Sequence, residues 1–167
     1  MRKTDIETLV AYAFWADEEI LSACERIAAA DFTRQANPDP GWHSLRGTLV
    51  HLLDTVYGWR AALQRIPDTG VIRETDFPDV AGLRARWQAE RSAWFAYVAA
   101  LDDDALNAVW REDGETRRAR WQTILHVIND GTYHRSEAAA MLTGLGQSPG
   151  ELDFEGYLVW REQGSPA

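Results

Sequence analysis

The chain has one cysteine, Cys24, among 167 residues, so no internal disulfide can form and a reducing, cytoplasmic setting is the expectation. Long apolar runs are also missing: nowhere do ~18 apolar residues follow one another, as a membrane-spanning helix would need. The segment Met1-Arg2-Lys3-Thr4-Asp5 turns polar at once and lacks the apolar centre of a secretory signal. Basic residues are scarce as well. Seventeen Lys and Arg face 26 Asp and Glu, for a formal net charge of -9, which argues against a phosphate-binding surface and hence against nucleic acid as a partner. Arg117, Arg118 and Arg120 form the only dense basic stretch, and it follows the acidic run Glu112-Asp113-Gly114-Glu115, which reads as a locally salt-bridged turn.

What is present is the mixture of a folded domain: 46% hydrophobic and 26% charged residues, in a length that suits a single domain over 1–167. Thr4 and Glu7 have capping-box spacing. Ile6, Leu9, Val10, Ala13, Phe14, Ile20, Leu21, Cys24 and Ile27 then recur at helical intervals, predicting a helix from about residue 4 to about residue 30. Cys24 falls on that apolar stripe and reads as a buried structural thiol. Asn37-Pro38-Asp39-Pro40-Gly41 breaks the pattern, and Ser44 caps a second helix traced by Leu45, Leu49, Leu52, Val56, Trp59 and Leu63.

Pro67 to Pro78 is long enough to cross the bundle rather than to turn tightly. Asp79 caps a third helix with the stripe Leu83, Trp87, Trp94, Phe95 and Val98, and Asp102-Asp103-Asp104 ends it or starts a short polar turn. Residues 111–119 read as charged loop. Trp121 opens a fourth helix whose inward row is Val127, Asp130, His134, Ala138 and Met141, and a short final helix follows around Tyr157, Leu158 and Trp160. The expected fold is all-α: a four-helix bundle with a crossover connection and a short C-terminal helix. The eight tryptophans, among them Trp15, Trp42, Trp59, Trp87, Trp94, Trp121 and Trp160, could line an apolar pocket, but aromatics at helical spacing read mainly as core.

Four histidines occur: His43, His51, His126 and His134. His126, Asp130 and His134 stand at successive steps of four along one side of the fourth helix. One ion cannot take all three, because the two histidines lie ~12 Å apart along the axis while a Zn–N bond is ~2 Å. The pair is therefore Asp130 with His134, or His126 with Asp130. Gly131, lacking a side chain, would let a facing helix come close. His51 is the one histidine inside another helix, and His43 sits at a boundary where an exposed or capping role is expected. Two histidines and a carboxylate form a three-ligand set with room for water or substrate. A core histidine bonded to a carboxylate, with no ion, gives the same spacing.

The segment Leu125-His126-Val127-Ile128-Asn129-Asp130-Gly131-Thr132-Tyr133-His134-Arg135-Ser136-Glu137, with Met141-Leu142 and the stretch from Gly146 to Phe154, resembles the signature region of the DinB family. Ser44 to Leu53, with Trp59 beyond, resembles the same family's second-helix motif, and the likeness covers nearly the whole chain. It implies a four-helix bundle, usually a dimer, holding a divalent metal through three histidines. Carried over, those positions are His51, Asp130 and His134. Asp130 departs from the pattern; a carboxylate is a competent ligand for zinc, nickel, manganese or iron, and makes the site harder and more anionic. Arg135 and Glu137 flank the ligands, with Arg135 expected off the inward row, at a surface or dimer contact. Some relatives resemble transferases or isomerases that use low-molecular-weight thiols, with the nucleophile brought by the cosubstrate. The competing expectations are a non-catalytic stress-associated protein, whose metal site is structural, sensory or decayed, and a metal-free dimerising module.

Overall fold

The computed structural model describes residues 1–39, 41–67, 70–113 and 116–164. Seven helices are present among them: α1 Lys3–Cys24, α2 Ala29–Thr33, α3 Leu45–Gln64, α4 Val80–Ala99, α5 Asp103–Asn107, α6 Arg120–Gly144 and α7 Phe154–Glu162. The four long ones form the bundle. α1 packs on α6 and α4, and α3 packs on the same two, so α1 and α3 sit on one diagonal and α4 and α6 on the other. No helix among the described residues is long and apolar enough to cross a membrane.

The connection after α3 is the expected crossover. It runs back along α3, with Ile72 N donating to Asp54 Oδ1 at 2.8 Å and Glu74 paired with Arg46. α4 consequently starts beside the start of α3 and runs in the same direction, while α6 runs antiparallel to α3. The core is filled largely by the stripes read from the sequence: Ile6, Ile20, Leu21, Leu52, Leu83 and Trp94 are all buried, as is Cys24, and Leu53 and Ile124 join them, whereas Phe95, read into the third stripe, is exposed. Burial pushes the Cys24 thiol up to about 12, which keeps it protonated and unreactive.

Helix starts follow their caps. Ser44 accepts from Gly47 N at 2.9 Å, Asp79 from Gly82 N at 2.8 Å, Asp102 from Ala105 N at 2.7 Å and Asp153 from Gly156 N at 2.7 Å. Two boundaries differ from expectation at the first helix. It opens at Lys3 rather than at a Thr4 cap, because the Asp5 carboxylate accepts from Arg2 N. It also ends at Cys24 rather than near residue 30. There Arg26 folds back to bond Ser22 O, Ser148 O and Gln147, and α2 restarts to bury Phe32.

The charged loop expected over 111–119 is instead a β-hairpin, β1 Val109–Asp113 and β2 Thr116–Ala119. Its register places Glu112 opposite Arg117 and Arg111 opposite Arg118. Gly114 and Glu115, part of the turn read as salt-bridged, lie outside the described residues. Trp110 anchors the hairpin to α6 by donating its Nε1–H to Thr123 Oγ1 at 2.8 Å. Strand propensity in this segment was masked by its charge, since both strands are short and their side chains carry no apolar alternation.

Candidate metal centre between α3 and α6

The antiparallel pairing of α3 and α6 decides which histidine can meet His51. The His51 and His134 rings stand edge to face with centroids 4.7 Å apart, while His126, two turns away, is exposed and packs edge-on against Trp59 at 5.3 Å. The structure thus brings His51 to His134 and leaves His126 outside the cluster. His43 is exposed in the loop before α3, its Nδ1 2.7 Å from Asp39 Oδ2.

His134 is buried, and its two ring nitrogens have different surroundings. Nδ1 lies 2.8 Å from Glu137 Oε2, one turn on in α6. An ionised carboxylate only accepts, so the proton belongs on Nδ1 and the lone pair on Nε2. Nε2 faces Asp130 Oδ2 at 3.9 Å, one turn back. That is too long for a hydrogen bond. It is also wider than the ~3.4 Å edge between two ligands on a tetrahedral ion with ~2.1 Å bonds, so a small side-chain movement would close it onto a metal.

His51 is held below its ordinary pKa, first by burial, then by the neighbouring His134, against the opposing pull of Asp130, Asp54 and Glu137. The shift favours the neutral imidazole, the form that ligates metal. The donors fit a divalent ion in type: two imidazoles and a carboxylate. Their spacing is a pair plus one neighbour. Among the described residues no group of three His, Cys, Asp or Glu side chains is gathered closely enough to hold an ion without adjustment.

An aromatic side chain that sequence reading assigned to core packing occupies this site. The Trp42 ring stacks on His51 at 3.4 Å with 10° between planes, and meets His134 edge-on at 6.0 Å. It gets there because the chain before α3 presses onto the helix. The Trp42 carbonyl accepts from Ser44 N at 2.7 Å and sits 1.9 Å from where a Cβ on Gly47 would stand. Only glycine at position 47 allows this approach. Asp39 holds the loop from the other side, accepting from Gly41 N at 2.8 Å and His43 N at 2.9 Å, with His43 in the left-handed region at φ 63°. The Gly47 in the quoted helix motif was a usable signal for this close approach, but nothing in the spacing tied it to Trp42.

Arg135 is not at a surface. It is 3% exposed and turned to the α1 side of α6, where Nη1 bonds Asp17 Oδ1 at 3.1 Å and Nη2 bonds Thr132 Oγ1 at 3.1 Å. The guanidinium also lies over the Tyr12 ring at 5.7 Å. Gly131 serves this arrangement rather than a close helix pair: a Cβ there would stand 2.9 Å from Arg135 Nη1. Glu137, by contrast, orients His134, the role its position suggested.

A cavity of about 550 Å³ opens beside the centre, between the end of α2 with the loop that follows it to residue 39 and the C-terminal half of α6. Glu137 is in its wall, with Leu45, Met141 and Leu145 supplying apolar surface. The space is of the size that small ligands fill. No curated protein matches the chain. The family model described as DinB family matches residues 1–165, and with the helical bundle and the motifs on α3 and α6 this shows that the chain belongs to the DinB family.

Proposed function

We propose that the protein binds one divalent metal ion through His51, Asp130 and His134, and that the loaded protein is a metal-dependent transferase or isomerase acting with a low-molecular-weight thiol. The observation that carries the reading is the state of His134: its Nδ1 is fixed by Glu137, which leaves the Nε2 lone pair 3.9 Å from Asp130 Oδ2, with the His51 ring edge to face at 4.7 Å. When bound, the ion would lower the pKa of a coordinated thiol and make it the nucleophile. The chain's own residues contribute a neutral imidazole at His51, a tautomer lock at Glu137, an aromatic cover at Trp42 and a cavity wall for a substrate. Cys24, buried and strongly protonated, is no rival nucleophile.

Metal analysis of protein purified without chelator or affinity-tag nickel tests the reading, followed by titration with Zn²⁺, Ni²⁺, Mn²⁺ and Fe²⁺. One ion per chain is expected, lost in His51→Ala and His134→Ala. Absence of any ion, with both variants unchanged in metal content and melting temperature, overturns it. Thiol consumption by the loaded protein with a small electrophile then separates the enzyme from a structural or sensory site.

A second reading, a non-catalytic stress-associated bundle with a decayed site, is favoured by two observations: Trp42 covers His51, and the three donors are not gathered. We also infer a homodimer, for which the exposed Leu125 and Tyr133 on the outer side of α6 offer apolar surface. Light scattering across a concentration series reads the mass directly.

A further inference from the structure

A second cavity, of about 390 Å³, lies where α7 packs on α1. Two half-buried indoles, Trp15 and Trp160, are in its wall with Val159; the rings are 5.9 Å apart and inclined at 40°, so both can face one small guest. Its charged lining is of one sign. Glu151, Asp153 and Glu155 contribute carboxylates, and no Lys or Arg lines the space. Asp153 is engaged in capping α7 through Gly156 N, whereas Glu151 and Glu155 have no ion-pair partner among the described residues. The Trp15 indole N–H is buried and lacks an acceptor among the described residues, so the indole offers the space its apolar ring rather than a donor.

Aromatic faces joined to carboxylates select organic cations: the ring quadrupole attracts a weakly hydrated ammonium, and the acids supply net charge. The same aromatic cluster already receives one cation from its own chain, since the Arg161 guanidinium lies 5.7 Å from the Tyr157 ring, and Tyr157 contacts both indoles. We propose that the Trp15–Trp160 cavity is a binding site for a small, weakly hydrated organic ammonium ion. The site is separate from the metal centre and stands or falls without it.

The probe is choline chloride, compared with its neutral isostere 3,3-dimethyl-1-butanol on the wild-type chain at matched ionic strength. Saturation-transfer NMR of the shared trimethyl group and tryptophan fluorescence report binding. Choline is expected to bind about tenfold more tightly than the alcohol. Trp160→Leu should abolish this preference, and the surface pair Glu151→Gln/Glu155→Gln should weaken choline several-fold and flatten its salt dependence. Equal binding of choline and the alcohol overturns the proposal by making the cavity merely apolar. No choline binding up to about 50 mM, beyond the weak end of millimolar affinity, overturns it outright. The isostere comparison needs no variant to fold.

Discussion

The two sides of α6 carry buried charge to opposite ends. Toward α1, both terminal nitrogens of the Arg135 guanidinium are saturated: Asp17, Thr132 and the carbonyls of Ala13 and Ile128 accept from them, and the Tyr12 ring lies beneath. Toward α3, one residue earlier, His134 is tied down at one nitrogen only, and Asp130 makes no hydrogen bond among the described residues. A buried group engaged at both of its terminal nitrogens holds a fold together. One with a single oriented lone pair left over is prepared for something that is not part of the chain.

Removing one partner on each side separates these roles. Arg135→Ala leaves the Asp17 carboxylate buried without its counter-charge, and a loss of about 3–5 kcal/mol is expected in denaturant unfolding. Replacing both, Asp17→Leu with Arg135→Met, should recover most of that stability. Asp130→Ala, one turn back from His134 and part-exposed, should change stability by no more than about 0.5 kcal/mol while lowering metal affinity. A large stability loss at Asp130 would erase the contrast between the two sides. Gly47→Ala comes next in size. Its Cβ would collide with the Trp42 carbonyl, so the loop must leave α3, at a cost of about 1–3 kcal/mol and with loss of the Trp42–His51 stack in near-ultraviolet circular dichroism.

The sequence made the bundle legible because its four stripes have helical period and its caps are polar side chains at Ser44 and Asp79. The crossover was legible from loop length alone. His51 and His134 were reachable by spacing and resemblance together: spacing alone left His126 and His134 open, the resemblance chose His134, and the antiparallel register of α3 and α6, a tertiary fact, is what sets it opposite His51. Trp42 was invisible for a related reason: the contact that matters joins a loop residue to a helix face nine positions later, and no periodicity describes it. Arg135 was misjudged because adjacency to His134 places it off the inward row, yet α6 is covered on two sides, by α3 and by α1. Off one buried row was on another.

Glu137 sharpens the open side of the comparison. Glu137→Gln preserves size but can offer its amide nitrogen as well as its oxygen to His134 Nδ1, so the tautomer lock weakens. Metal affinity measured by competition with a chromogenic chelator should fall about tenfold, with apo-protein unfolding close to unchanged. An unchanged affinity would mean that the Nδ1 contact does not orient a ligand.

The smallest expected effect concerns the loop that carries Trp42. Asp39 is held below the usual carboxylate range by the backbone N–H groups of Gly41 and His43 and then by the His43 ring. The sign follows directly: a lowered carboxyl pKa means the ionised form favours the folded loop, so the grip is complete above the ordinary Asp range and weakens as pH falls through the lower folded value. Trp42 stacking, followed by fluorescence in protein whose secondary structure is still intact, should therefore hold through pH 4 and loosen below it. Asp39→Asn removes the titrating group and should give a loop that is somewhat looser at neutral pH and insensitive to acid over the same interval. If both proteins loosen at the same pH, the loop is governed by the bundle beneath it, and Trp42 belongs with the saturated side of α6 rather than with the open one.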